Sequence, residues 1–266
     1  MTLLRRGDRG AQVAAVQARL RGFGLELKDP DGELGLWTEA ALYALQRRCG
    51  LVPDGLVGPA TRDRLGAGAP PGLAAADPLI RCLDEVPYLT QRDNRHDPLK
   101  TCNVTALAMA LLSRGVRARD EGAQLEDELY ELLHGDAATA YYRESSPELY
   151  ARGTPAHEVH DNLAWAATQR GVPASFSGKR TRAELEAELV AGRPVLLSGA
   201  FTGSGHIVLL VGLTCDGDFI VHDPYGDFTT KYKDPSGAFR IYERDRTWAT
   251  LKELGSDDKW GLFLTA

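Results

Sequence analysis

Cysteine is scarce in this sequence of 266 residues, which has only four. The four are far apart and none forms a CxxC pair, so the pattern favours neither a zinc ribbon nor a framework of disulfide bonds. Each cysteine therefore has to be interpreted from its own surroundings. Three are predicted to be structural, namely Cys49, Cys82 and Cys215, and the fourth is Cys102.

The chain also lacks a long apolar run and a block of basic residues. No stretch approaches the roughly 18 apolar residues of a membrane-spanning helix, and the amino-terminal MTLLRRGDRGAQ has no apolar core of the length that a secretion signal needs. The formal net charge of −6 gives no electrostatic basis for nucleic-acid binding. We expect a protein made in the cytoplasm, without a signal peptide, that binds neither nucleic acid nor a membrane.

A short internal repeat marks the first part of the chain. The segments DGELGLWT, from Asp31, and DGLVGPAT, from Asp54, carry Asp, Gly, Gly and Thr at the same offsets, 23 residues apart. Each copy predicts a turn followed by a helix start, and Pro59 stands at a first helical position. An earlier amphipathic segment ends at a glycine, so the pattern predicts a unit of three helices within about 65 residues.

These three segments together resemble the peptidoglycan-binding domain of bacterial and phage cell-wall enzymes, whose DG-x-x-G-x-x-T signature occurs here twice. The resemblance covers residues 3 to about 66 and implies that residues 1–66 form a wall-binding domain with peptidoglycan as its partner. The repeated Asp and Gly residues are interpreted as turn builders. Trp37 and Tyr43 are candidate contacts for carbohydrate, although packing in the helical core is the expected fate of at least one of them.

Residues 67–78, rich in Ala, Gly and Pro, read as a linker, and the second domain is expected to span residues 79–266. VPYLTQ is predicted as a short strand, followed by a helix from Cys102 to about Ser113. Further helices are predicted in EGAQLEDELYELL, in TPAHEVHDNLAWAATQRG with Thr154 as its cap, and in RAELEAELVAG. PVLLSGA, HIVLLVGL and DFIVHDPY read as strands. Helices followed by an antiparallel sheet predict an α+β fold.

Cys102 opens an apolar helix, where unpaired N–H groups and the helix dipole favour a thiolate and could hold an oxyanion. A thiol nucleophile needs a base and a group that orients the base. His206 opens a predicted strand and is the best candidate base. Asp223, just before a proline at the end of the next strand, is the candidate acid. Position alone also allows Cys102 to be a small buried residue and His206 to cap a strand.

The order Cys, His, Asp, with CNVTALAM, GHIVLLVG and HDPYGD around these residues, resembles the papain-like cysteine peptidases. The similar branch is related to the peptidases that process bacteriocin leaders. The resemblance implies a catalytic triad of Cys102, His206 and Asp223 and gives Gln91 the oxyanion-hole role. This chain departs from the pattern in having Asn103 where Gly is common and in placing Gln91 11 residues before the cysteine, a longer interval than usual.

Two assignments stay open at this point. Asn94 could supply the oxyanion donor instead of Gln91 if its loop folds back over the cysteine. A two-residue turn at Asp216-Gly217 would place His206 opposite Asp227 and about 13 Å from Asp223. Asp227 is therefore the rival acid, and pairing with Asp223 requires a different turn or a bulge.

A second group of polar residues is HEVHD, which would put His157, His160 and Asp161 on one helix face at a spacing that can hold a metal. It is not the HExxH motif of metallopeptidases, and a solvated helix face is the simpler interpretation. No metal and no cofactor are predicted.

The sequence thus predicts a monomeric cysteine endopeptidase that cleaves the peptide part of peptidoglycan. By its resemblances it is similar to a phage endolysin, acting on the wall after release from the cytoplasm. One alternative is an N-acetylmuramoyl-L-alanine amidase that uses the same triad. The other is a wall-binding protein whose peptidase domain is vestigial.

Overall fold

The computed structural model describes residues 3–73, 77–244, 247 and 259–265. Residues 74–76 of the predicted linker lie outside this range. The chain divides into two compact units, one formed by Met1–Cys82 with Leu213–Phe219 and the other by Leu83–Gly212 with Ile220–Ala266. No helix in the described ranges is long and apolar enough to cross a membrane.

The first unit contains the three predicted helices: α1 (Ala11–Gly22), α2 (Leu36–Arg48) and α3 (Pro59–Ala67). Pro59 occupies the first turn of α3, where its missing N–H leaves no hydrogen bond unmade. Apolar side chains from all three helices and the loops between them form one core, which includes Val13, Leu20, Leu34, Leu42, Leu45, Val57 and Leu65.

The repeated signature is a loop held by a buried glutamine. In the first copy, Gln17 of α1 accepts a hydrogen bond from the N–H of Gly32 at 2.7 Å and donates to the hydroxyl of Thr38 at 3.2 Å. In the second copy, Gln46 of α2 accepts from Gly55 at 2.9 Å and donates to Thr61 at 3.2 Å. The signature residues therefore build turns, as the sequence predicted.

The second unit begins with a mainly helical half. Its helices are α4 (Cys102–Ser113), α5 (Leu125–Leu133), α6 (Asp136–Ser145), α7 (Pro147–Ala151), α8 (His160–Gln169) and α9 (Arg182–Val190). Helix α4 is buried along residues 103–111 without a break. A helix that is apolar on all sides packs inside a domain, so α4 is the central helix of this unit.

The strands are β1 (Leu79–Cys82), β2 (Ala174–Arg180), β3 (Val195–Gly199), β4 (His206–Thr214), β5 (Phe219–His222), β6 (Arg240–Tyr242) and β7 (Lys259–Leu264). Six of them lie in the order β2-β7-β3-β4-β5-β6. The pairs β2–β7, β3–β7 and β3–β4 are antiparallel. Helices packed with an antiparallel sheet confirm the predicted α+β class.

Some predicted elements are wrong or incomplete. VPYLTQ forms no strand; its last residue, Gln91, begins a single 3₁₀ turn, Gln91–Asp93. The helix predicted from Thr154 begins only at His160, after a separate 3₁₀ turn, Ala156–Glu158. The amide of Asn162 donates to the carbonyl of Ala156 at 2.8 Å, which closes that turn onto the first turn of α8.

Candidate active site at the start of α4

Cys102 is the first residue of α4 and its side chain is half-buried, with a free thiol. The next residue, Asn103, is buried and uses its side chain to hold this end of the helix. Its Oδ1 accepts from the N–H of Val104 at 2.8 Å, and its Nδ2 donates to the carbonyl of His157. Asn103, which stands where glycine was expected, thus holds the start of α4 through contacts that a glycine could not make.

His206 and Asp223 form a buried pair. The Nε2 atom of His206 lies 2.6 Å from Oδ1 of Asp223, and the two residues are 5% and 0% exposed. His206 opens β4, where it is paired with Gly199 at the end of β3. Because Nε2 faces the carboxylate, Nδ1 is the ring nitrogen available to Cys102.

The charge environment favours the imidazolium form of His206. Burial alone lowers its pKa, but the charge and hydrogen bond of Asp223, followed by those of Cys102, outweigh burial and raise the pKa to about 10. The site therefore contains a histidine that stays protonated at neutral pH between a carboxylate and a thiol.

Asp227, the rival acid, lies elsewhere. Its Oδ1 accepts from the backbone and the hydroxyl of Thr229 at 2.8 and 2.6 Å, and its Oδ2 is 3.7 Å from Arg240. The connection between β4 and β5 is longer than two residues, since the N–H of Thr214 donates to the carbonyl of Asp218 and encloses the three residues 215–217. Because β5 ends at His222, Asp223 is outside the ladder and the 13 Å expected from strand register does not apply.

The loop around Asp223 is closed by backbone contacts that the sequence did not reveal. Asp223 N–H donates to the carbonyl of Gly237 at 2.9 Å. The hydroxyl of Tyr88 accepts from Gly237 N–H and donates to the carbonyl of Asp223, both at 3.1 Å. A Cβ at Gly237 would overlap that carbonyl oxygen, so the approach requires glycine.

The two candidate oxyanion donors have different partners. Gln91 is 1% exposed, and its Nε2 donates one hydrogen to Pro98 at 2.9 Å. A side-chain amide has two hydrogens, so one remains for a ligand. Asn94 donates to the hydroxyls of Thr101 and Thr105 at 2.9 and 2.8 Å. Its amide hydrogens are therefore used within the protein.

Two tyrosines cover His206. The rings of Tyr225 and Tyr232 lie 6.2 and 5.9 Å from the imidazole and 5.1 Å from each other. Burial, then the charges of Asp223 and Cys102, raise the pKa of Tyr232. Lys231 and Tyr232 both adopt left-handed backbone conformations, with φ of 56° and 60°, which non-glycine residues rarely adopt outside constrained sites. Sequence reasoning missed both tyrosines because neither belongs to a periodic pattern.

Trp37 and Tyr43, the carbohydrate candidates, both lie in the first unit, on α2. Tyr43 is 5% exposed and packs beneath Gly55, which leaves little ring surface for a ligand. Trp37 is half-buried; its indole N–H donates to Asp77 at 3.1 Å, and the Lys28 ammonium lies 5.4 Å from its ring. Of the two rings, Trp37 retains the larger exposed face.

The HEVHD residues do not share a helix face, because His157 belongs to a 3₁₀ turn and His160 begins α8. Burial lowers the pKa of both histidines to about 4, and the nearby charge of His134 lowers that of His157 further. Burial also raises the pKa of Asp161. Across the described residues, no group of three or more His, Cys, Asp or Glu side chains is placed to hold a metal ion.

The second unit is an α+β domain in which a cysteine begins the central helix and a buried His–Asp pair lies at the ends of neighbouring strands. The model of the "Peptidase_C39 like family" matches residues 83–256, and a "peptidoglycan binding domain" model matches residues 9–65. The chain belongs to the C39-like peptidase family and carries an amino-terminal peptidoglycan-binding domain.

Individual proteins resemble parts of the chain. The N-acetylmuramoyl-L-alanine amidase CwlL of Bacillus licheniformis is 43% identical over 68 residues, which are 25% of this chain and 19% of that protein. The chain thus spans about a fifth of the length of this curated relative. A C39-like peptidase from Bacillus anthracis is 16% identical, with a TM-score of 0.46 over 70% of this chain and 98% of that one. A Burkholderia AP3 phage endolysin is 28% identical, with a TM-score of 0.24 over 61% and 64%.

Proposed function

We propose that this protein is a cysteine endopeptidase that cleaves amide bonds in the peptide part of bacterial peptidoglycan. The observation that carries the proposal is the 2.6 Å contact of His206 with Asp223, in a site where Cys102 also raises the pKa of His206. A thiol, a protonated imidazole and a carboxylate in this order are the groups that nucleophilic acyl transfer requires. The match to a peptidoglycan-binding domain supports the wall as the substrate.

In the first step, the Cys102 thiolate attacks the carbonyl carbon of the amide and forms a carbon–sulfur bond. The carbon–nitrogen bond then breaks, and His206 gives its proton to the leaving amine. Asp223 holds the imidazole in the orientation that this transfer needs. His206 then takes a proton from a water molecule as the water attacks the thioester; the carbon–sulfur bond breaks, the acid product leaves, and the thiolate and the imidazolium are restored.

The negative oxygen of the tetrahedral intermediate needs fixed donors. We assign this role to the backbone N–H of Cys102, at the helix start, and to the remaining amide hydrogen of Gln91. Gln91 is preferred over Asn94 because both threonine contacts of Asn94 use its amide hydrogens.

The wall-binding domain raises the concentration of peptide bonds near the site, because binding of the tethered domain makes the second encounter intramolecular. Trp37 is the proposed contact with wall carbohydrate, through the face of its indole ring. Tyr43 keeps a structural role in the core of that unit.

Digestion of purified peptidoglycan, followed by mass analysis of the fragments, tests the proposal. New amino termini within the peptide are expected from the wild-type protein and from Cys215→Ala, which changes an exposed cysteine. Cys102→Ala should release none. Release of free muramoyl ends would instead identify an amidase, the activity named for the relative CwlL. Equal digestion by Cys102→Ala would overturn the thiol mechanism, and no digestion by the wild type would favour a binding protein.

A further inference from the structure

A fourth side chain, Tyr242, contacts the proposed triad at the carboxylate oxygen of Asp223 that His206 does not use. Tyr242 ends β6 and is 1% exposed. Its hydroxyl donates to Oδ2 of Asp223 and accepts from the backbone N–H of Phe228 at 3.1 Å. Both partners are fixed parts of the domain, so the hydroxyl is held at two points.

The direction of these hydrogen bonds follows from the groups involved. A backbone N–H can only donate, and a hydroxyl has one hydrogen. Because the Tyr242 oxygen accepts from Phe228, its hydrogen is available for Asp223, whose ionised carboxylate only accepts. Burial, and then the charge of Asp223, raise the pKa of Tyr242 well above its usual value. The tyrosine therefore remains a neutral donor across the range in which the site would work.

The carboxylate of Asp223 is thus held at both oxygens. Oδ1 accepts from His206 at 2.6 Å and from the N–H of Tyr225 at 2.9 Å, while Oδ2 accepts from Tyr242. Without the tyrosine hydroxyl, a fully buried charged oxygen loses a donor, and the carboxylate gains freedom to rotate about χ2. Rotation would move Oδ1 away from His206.

We propose that Tyr242 is a positioning residue, which acts through Asp223 to hold His206 against Cys102. This inference rests on the proposed function, since it assigns a role within the same triad. The inference predicts a line of side-chain contacts from Tyr242 to Asp223, from Asp223 to His206 and from His206 to Cys102. In this line Tyr242 orients the Asp223 carboxylate, and Asp223 orients the His206 imidazole. Phe228 contributes its backbone N–H to the Tyr242 hydroxyl, and its ring packs edge-on against the Tyr242 ring with the centroids 5.7 Å apart.

The test compares Tyr242→Phe with Tyr142→Phe. Tyr142 is a matched control in the same unit, since it is 3% exposed and its hydroxyl donates to the carbonyl of Thr154 at 2.8 Å. Initial rates of hydrolysis of purified wall are measured per mole of folded protein. Tyr242→Phe should lower kcat by about 10- to 100-fold with little change in KM, because it removes a charge-assisted hydrogen bond but no substrate contact. Tyr142→Phe should keep the wild-type kcat.

The pH profile of kcat/KM for wall hydrolysis supplies a second readout. A loosely held carboxylate stabilises the imidazolium less, so in Tyr242→Phe the alkaline limb of this profile, where His206 loses the proton that it gives to the leaving amine, should move down by about one pH unit. An unchanged profile and an unchanged kcat in Tyr242→Phe would overturn the inference. Failure of the proposed function would look different, because Cys102→Ala would then digest the wall as the wild type does.

Discussion

His206 and Asp223 meet at 2.6 Å although one is the first residue of β4 and the other follows the last residue of β5. The contact depends on the chain leaving the sheet after His222, since a continued ladder would hold the carboxylate at the strand spacing. The pair is buried, so its geometry is set by the packing around it rather than by solvent. Its effects on reaction rate, pH dependence and folding can be measured separately.

Asp223→Asn should lower wall hydrolysis by at least about 100-fold, because a neutral amide lacks the negative charge that stabilises the imidazolium and can present its NH2 group to the ring instead of its oxygen. Asp227→Asn is the matched control, since Asp227 caps a 3₁₀ turn and does not contact His206. It should keep most of the wild-type rate. Equal losses in the two variants, measured as initial rates on purified wall, would contradict the assignment of the acid.

Gln91→Ala should lower kcat by about 100-fold, which is the usual effect of removing one oxyanion donor. Asn94→Ala should act on folding instead, because it leaves the hydroxyls of Thr101 and Thr105 without their donor. The expected loss is about 1 to 3 kcal/mol in the free energy of unfolding, measured by denaturant titration. A large kcat effect for Asn94→Ala at unchanged stability would move the oxyanion role to that residue.

The His206 pair makes stability depend on pH with a defined sign. The folded pKa is raised to about 10 from 6.5, so the folded state holds the proton more tightly than the unfolded state does. The stabilisation is full below about pH 6.5 and is lost as the pH rises through about 10. Urea unfolding of the wild type and of His206→Gln should therefore show a difference that shrinks over this interval. A difference that grows with pH would contradict the ion pair.

Gly237→Ala should displace Asp223 although Gly237 is not a member of the triad, because the added methyl group would overlap the carbonyl oxygen of Asp223. The loop must then shift, and we expect both a lower melting temperature and a lower kcat. Gly203→Ala is a suitable control, since a Cβ there would meet nothing within 4 Å. Wild-type melting and activity in Gly237→Ala would show that the contact with Asp223 is dispensable.

Much of the sheet and the central helix could be predicted, because β3, β4, β5 and α4 are dense in apolar residues and are buried. Strand β2 was missed because its sequence, ASFSGKR, is mostly polar and partly exposed, so it shows no buried run. The helix predicted from Thr154 starts late because a side-chain bond from Asn162 favours a separate turn, and periodicity does not report such bonds.

The proposed triad could be found because Cys102, His206 and Asp223 each stand beside an element boundary that is visible in the sequence. The choice between Gln91 and Asn94 could not be made there, since it depends on which partners take their amide hydrogens. Tyr242 carries no sequence signal at all. Its role arises from a hydroxyl placed between Phe228 and Asp223 by the packing of β6.

The glutamine-held loops of the wall-binding domain have a consequence for how such domains vary in length. Gln17 and Gly32 are 15 residues apart, whereas Gln46 and Gly55 are 9 apart, and yet each pair makes the same hydrogen bond. The intervening chain can therefore grow or shrink while the anchoring points stay in place. Insertions between the helix and its D-G turn should be tolerated, and that stretch offers a position for grafting new binding loops onto the domain.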